Sequence, residues 1–223
     1  MGIKERHERD RETTRRSILD AARELFVTEG FQNVSMRKIA ERVEYSAAAL
    51  YSYFPSKDDI FFALAEEGFR LLHDGTAALD ELPAIERIRQ IYWRLYTFSV
   101  DQPQYFALMF VDRTVPRVSR EYERFAYAKQ MKERLIAHVQ TAIDEGALPS
   151  TTPAPIVLRM LMTGLLGVAV LRLSDRLSPQ ENADDLARDV LNITIAGLQS
   201  GVVLQSQPQL DPCPLAEDTR SVR

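Results

Sequence analysis

Between positions 35 and 57 the chain carries Ser35, Arg37, Tyr45, Ser46, Tyr51, Ser52, Tyr53 and Lys57, with the small Ala47 and Ala48 among them. Hydroxyls, phenols and cations are hydrogen-bond donors suited to recognition of polar and anionic groups. The elements of catalysis are missing around them. His7, His73 and His138 are scattered, and neither His-Glu-x-x-His nor a paired Glu-x-x-His occurs. No glycine-rich phosphate loop follows a strand, so a helical-bundle enzyme is the weaker reading. Cys213 is the sole cysteine, which excludes an intrachain disulfide and a Cys-x-x-Cys metal pair and suits a reducing cytosol. No metal and no cofactor is expected.

The spacing of apolar residues sets the elements that must hold those donors. Positions 18, 21, 22, 25 and 26 share a helical face, and Gly30 follows as a left-handed stop. Ser35 caps a second helix with Met36, Ile39, Ala40 and Val43 on one face; Glu44 and Tyr45 turn the chain; Ser46 caps a third through Leu50 and Tyr53. Pro55 closes the third helix, because it disfavours helical geometry at Phe54. Ser56-Lys57-Asp58-Asp59 is a capping box that opens a fourth helix, drawn over 56–79. Two short helices joined by a tight turn have the geometry of a helix-turn-helix. Helices follow over 84–100, from Pro103, over 119–145 to a stop at Gly146, over 154–174 and over 182–204. No sustained strand alternation appears, so the fold class is all-α.

Bulk properties allow this reading without demanding it. The 223 residues are 45% hydrophobic, enough for a substantial core, and the formal charge is −4. Acidic and basic residues balance at eleven each within 1–60, so the acidic excess lies entirely beyond that segment. The charged start from Ile3 onward has no apolar stretch behind it, against a secretory signal. The apolar run Met160 to Leu171 falls short of the roughly 20 residues of a membrane span and reads as a buried helix, so no membrane partner is expected.

The stretch 49–60, Ala-Leu-Tyr-Ser-Tyr-Phe-Pro-Ser-Lys-Asp-Asp-Ile, resembles the signature of TetR-type repressors, as does its lead-in of Gly30-Phe31, Ser35-Met36-Arg37-Lys38-Ile39-Ala40 and Val43. The resemblance runs from Ile18 to Phe62 and implies double-stranded DNA, as a palindromic operator, as the partner. A recognition helix would be short, polar outside and anchored inside by Leu50 and Phe54. By the resemblance, Ser35, Tyr51, Tyr53 and Lys57 match positions that contact phosphate, while Arg37, Tyr45, Ala47, Ala48 and Ser52 match positions that face bases, with Ser46 capping the helix between them. Glu44 departs from the family's usual turn glycine; a left-handed backbone there would cost roughly 1 kcal/mol. Ala47-Ala48-Ala49 stands where Lys and Gly are common, which leaves readout to Arg37 and Tyr45 with help from DNA shape. The arm with Lys4, Arg6, Arg9, Arg11, Arg15 and Arg16 would reach the minor groove or would be a mixed-charge solvated helix start.

The expected organisation is an N-terminal arm and helix-turn-helix domain over 1–56, a larger helical ligand-binding and dimerisation bundle over 57–204, and a proline-rich disordered tail over 205–223. Trp93, Tyr96, Phe106, Met109, Phe110, Tyr127, Met131 and Met160 are the candidates to line a pocket for a small, mainly hydrophobic effector. Gly164, Gly167 and Ala169 on helix 154–174 and Ala187, Ile193, Ala196 and Gly197 on helix 182–204 would let these two helices pair with a second copy as a homodimer. The whole is expected to be a cytoplasmic repressor released by effector. A ligand-independent helix-turn-helix protein is the alternative, marked by a second domain packed without a cavity.

Overall fold

The computed structural model describes residues 2–74, 76–116 and 126–206. The tail beyond 206 and the start of the helix expected from Ser119 lie outside the described residues. Among those described, nine α-helices and no strand are present: α1 (Ile3–Glu29), α2 (Met36–Arg42), α3 (Ala47–Tyr51), α4 (Lys57–His73), α5 (Ala84–Asp101), α6 (Pro103–Phe106), α7 (Ala126–Asp144), α8 (Ala154–Leu173) and α9 (Ala183–Gln199). A π turn, Ala107–Val111, follows α6, and a 3₁₀ turn, Thr76–Leu79, follows α4.

The first helix is far longer than its apolar face. Residues 18 to 26 bury Ile18, Leu19, Ala22, Leu25 and Phe26, yet the helix begins at Ile3. No Gly or Pro interrupts 3–29, and ion pairs such as Arg16 with Asp20 one turn on support the exposed part. The basic arm is therefore helix, not a free strand. Arg11 lies 5.9 Å from the Tyr53 ring centroid and Arg15 5.1 Å from that of Phe54, which ties the arm to the end of α3. At Gly30 the backbone takes φ 83° and ψ 142°, a positive-φ extended bend in place of the left-handed stop.

Two hydrophobic clusters divide the molecule. One joins α1, α2 and α3 to α4, with Ile18, Phe26, Ile39, Leu50, Phe54, Ile60, Phe61 and Leu64 all buried. The other joins α5, α7, α8 and α9 through residues such as Ile88, Tyr92, Val139, Leu161, Leu165 and Leu191. Helix α4 ends at His73, one and a half turns before the expected Leu79, and α9 ends at Gln199, not at Leu204. The buried residues of α4 from Ile60 to Leu72 belong to the first cluster, and Phe69 and Leu72 near its C-terminal end also line a cavity.

Helix α8, Ala154–Leu173, follows the helix expected over 154–174, and its length and composition meet those of a membrane span, with a mean hydropathy of 2.0 over its most apolar 18 residues. It packs against α5, α7 and α9, burying Val157, Leu158, Leu161, Leu165, Val168 and Ala169.

Candidate nucleic-acid interface

Three serines build the local frame. Ser35 Oγ accepts the Lys38 N–H at 3.2 Å, Ser46 Oγ accepts the Ala49 N–H at 3.1 Å, and Ser56 Oγ accepts the Asp59 N–H at 3.1 Å while donating to Asp59 Oδ2 at 2.6 Å. Each satisfies an otherwise unpaired amide of a first helical turn. Between α2 and α3 the chain reverses at Glu44, whose φ is 59°, and the Tyr45 N–H reaches back to Ala40 O at 2.9 Å. The turn keeps the left-handed geometry that the sequence pattern demanded of a glycine, and Glu44 bears the strain.

Anchoring from below is apolar. Leu50 is fully buried and Phe54 nearly so, fixing the rotation of a five-residue helix that would not persist alone. With that rotation set, Ser35, Arg37, Tyr45, Ser46, Ala48, Tyr51 and Ser52 are exposed, while Ala47 and Tyr53 are half-buried and pack against the core that holds Leu50. Tyr51 is 52% exposed and makes no hydrogen bond among the described residues. Tyr45 shares a 3.2 Å hydrogen bond between its hydroxyl and that of Thr14 on α1, and the Ser52 hydroxyl donates to Ala49 O at 2.6 Å. Arg37 Nε pairs with Glu41 Oε1 at 2.8 Å, with both side chains well exposed. Such a surface pair is worth at most about 1 kcal/mol and releases readily to another acceptor.

Lys57 differs from the other expected contacts. Its ammonium donates to Phe31 O at 2.7 Å and Val34 O at 2.9 Å and stands 4.2 Å from the Phe31 ring centroid. It stitches the start of α4 to the turn that leads into α2. Sequence spacing could not show this, because Phe31 and Val34 are more than twenty residues away.

Further linkage runs from α1. Arg42 Nη2 meets both carboxylate oxygens of Glu24 at 2.9 Å, and Arg16 pairs with Asp20 and with Glu67 of α4. Those two carboxylates hold the Arg16 guanidinium well above its usual range, hydrogen bonding outweighing burial. Arg23 donates to Gln104 Oε1 at 3.1 Å and to the Tyr105 hydroxyl at 2.7 Å, so α6 is joined to the same helix that braces the helix-turn-helix.

The second half contains a cavity of about 300 Å³ between α4, α5, α7, α8 and the π turn. Of the expected lining residues it takes Met109, Phe110 and Met131. The other five are elsewhere. Trp93 stacks at 5.1 Å on Tyr96 and under Arg188; the buried Tyr96 donates to Asp184 Oδ1 at 2.6 Å; Phe106 is core; Tyr127 leans on His73 at 5.8 Å outside the lining; Met160 is 38% exposed. Their places are taken by Tyr92, Leu158 and Met162, and by a polar group that includes His73, Arg134, His138 and Arg159. Burial lowers the His73 and His138 pKa values, aided by Arg134; Asp80, 3.7 Å from His138, pulls the other way without prevailing.

Gly68 of α4 abuts this cavity wall. A Cβ there would stand 2.3 Å from Met109 Sδ and 3.2 Å from Tyr105 Cδ1, so the glycine serves close approach of the π turn and not bending.

Comparison with known proteins places these features. The family model described as bacterial regulatory proteins, tetR family, matches residues 18–64. The nucleoid occlusion factor SlmA of Sodalis glossinidius (strain morsitans) is 32% identical over 163 residues, covering 67% of this chain and 81% of its own length. Among solved structures, the fatty acid degradation regulator FadR from Bacillus halodurans superposes with a TM-score of 0.69 at 15% identity, over 83% of this chain and 96% of that one. FadR from Bacillus subtilis, in complex with stearoyl-CoA, does so with a TM-score of 0.68 at 17% identity, over 81% and 97%. At these identities the likeness to the two FadR structures is one of fold.

Proposed function

Because this chain belongs to the tetR family of bacterial regulatory proteins, we propose that it is a cytoplasmic, homodimeric repressor that leaves a palindromic operator when a small effector fills its cavity. The observation that carries the DNA-binding part is the solvent-facing set Ser35, Arg37, Tyr45, Ala48, Tyr51 and Ser52, held over the buried Leu50 and Phe54. Tyr51 and the capped start of α2 reach phosphates, and Arg37 leaves Glu41 to pair with a guanine edge. A footprint on the DNA upstream of its own gene tests this. Arg37→Ala is expected to relax preference at one base pair at a cost of about 1–3 kcal/mol. A variant footprint identical to that of the wild type would remove Arg37 from readout.

Dimerisation is supported by what α8 and α9 leave uncovered. Ile193 is 72% exposed, and Met160, Leu171 and Leu173 are each more than a third exposed. Gly167 and Gly197 would meet nothing within 4 Å at an added Cβ. Gly164 is different: its Cβ position is 2.6 Å from Val190 Cγ1, so it serves the α8–α9 packing within one chain. Ile193→Asp is expected to raise the dimer dissociation constant about a hundredfold, the roughly 2–4 kcal/mol of a central interface residue. Sedimentation showing an unchanged dimer would move the interface elsewhere.

Release follows from the contacts of α6 and the π turn. Effector pressing on Met109 and Phe110 displaces a turn that rests on Gly68 of α4 and grips Arg23 of α1 through Tyr105. Binding favours the arrangement of reading heads that no longer matches one DNA turn, a shift of population between two states. Gly68→Ala pushes Met109 toward the cavity; the effector concentration that halves operator occupancy is expected to rise with little change in melting temperature. An unchanged concentration would take Met109 off the route.

A second reading, a nucleoid occlusion factor instead of an operator-specific repressor, is favoured by the similarity to a protein of that name over 81% of its length. Genome-wide binding separates the two: many dispersed sites and none at its own promoter would favour the second. The cavity favours the first.

A further inference from the structure

The cavity lining is chemically mixed. Phe69, Leu72, Leu95, Phe110, Met131 and Met162 are apolar, while Lys132, Arg134 and Arg159 line it together with His73 and His138. Among the described residues no Asp or Glu lines it, although acidic residues outnumber basic ones in the chain, 32 to 28. Asp80 takes Arg134 Nη2 at 2.6 Å from outside the lining and offsets its charge. Arg159 has no hydrogen bond or ion pair from its guanidinium among the described residues; burial pushes the Tyr92 phenol up, and Arg159 is close enough to oppose that shift in part. Among the described residues the buried Tyr92 hydroxyl has a single long bond, 3.4 Å to Leu158 O. Cations concentrated beside low-dielectric walls create a field that an uncharged ligand leaves uncompensated.

We infer that the ligand is a small apolar molecule bearing one anionic group, held at Arg159, Arg134 and Tyr92 with its apolar part among the methionines and phenylalanines. This rests on the effector-sensing reading and narrows it, since a wholly apolar effector would leave that field uncompensated. The volume sets the size: about 300 Å³ lies at the lower end of the roughly 300–1,000 Å³ of small-molecule sites, the scale of a short ligand such as octanoate.

Calorimetry on the full-length protein compares octanoate, octan-1-ol and octylammonium, with 2-naphthoate and 2-naphthol as a ring pair. In at least one pair the anion is expected to bind at least tenfold more tightly than its neutral partner, and octylammonium not measurably. Octanoyl-CoA tells a free acid from an anionic carrier: tighter binding than octanoate assigns the anionic group to the carrier's phosphates. Arg159→Gln, an exposed substitution with no partner to lose, should cost the preferred anion tenfold or more and leave its neutral partner unchanged; a melting curve verifies the fold. Neutral probes binding as tightly as the anions, or an Arg159→Gln variant with the wild-type preference, would overturn the anionic assignment while leaving sensing intact. No binding by any probe would overturn the sensing role of the cavity, and this inference with it.

Discussion

Replacing Leu50 with alanine is expected to destabilise the helix-turn-helix by about 2–5 kcal/mol and to abolish DNA binding at room temperature. The side chain is fully buried beneath a helix of five residues, which has too few internal hydrogen bonds to hold its shape without the anchor. Against the roughly 5–15 kcal/mol that separates a native domain from its unfolded ensemble, the loss is large. Ala48→Ser, two positions away on the exposed side, serves as the control: it should melt as wild type does, because it removes no packing. Denaturant titration read by circular dichroism, with a shift assay on the same samples, measures both. If Leu50→Ala melted with the wild type and still bound DNA, the recognition helix would not depend on the burial described here.

Lys57→Met gives the second large effect, and its sign in salt separates two roles for one residue. The ammonium ties Phe31 O and Val34 O to the first turn of α4. Removing it strands two carbonyls and loses two charge-assisted bonds, about 2–4 kcal/mol in all. DNA affinity should fall because α2 is no longer seated, yet the slope of log affinity against log salt should stay near the wild-type value. Loss of a phosphate contact would instead lower the slope by about 0.9. A slope lowered by that amount with unchanged stability would give Lys57 the phosphate role that its sequence position suggests.

Local chemistry was legible where it closes over a few residues. Ser35, Ser46 and Ser56 cap their helices as their spacing predicts, Pro103 opens a short helix, and Glu44 takes the left-handed turn. Helix ends without such signals were less so. α4 stops at His73 and α9 at Gln199, short of their apolar patterns, and the charged start of α1 proved fully helical.

By itself the sequence determined the all-helical class, the caps, the apolar anchors and the polar residues of the α2–α3 segment, since each of these depends on neighbours within one or two turns. Tertiary structure alone decided which side chains meet. Tyr92 lines the cavity while Trp93 packs on Arg188, and Met162 faces in where Met160 faces out. Successive helical residues point about 100° apart, so residue type says that a ring or thioether will be buried somewhere, but the phase of the helix against its partners fixes where. The same holds for Lys57 and for the cations of the cavity: His73, Arg134 and Arg159 come from three different helices, and only the packing of α4, α7 and α8 brings them to one lining.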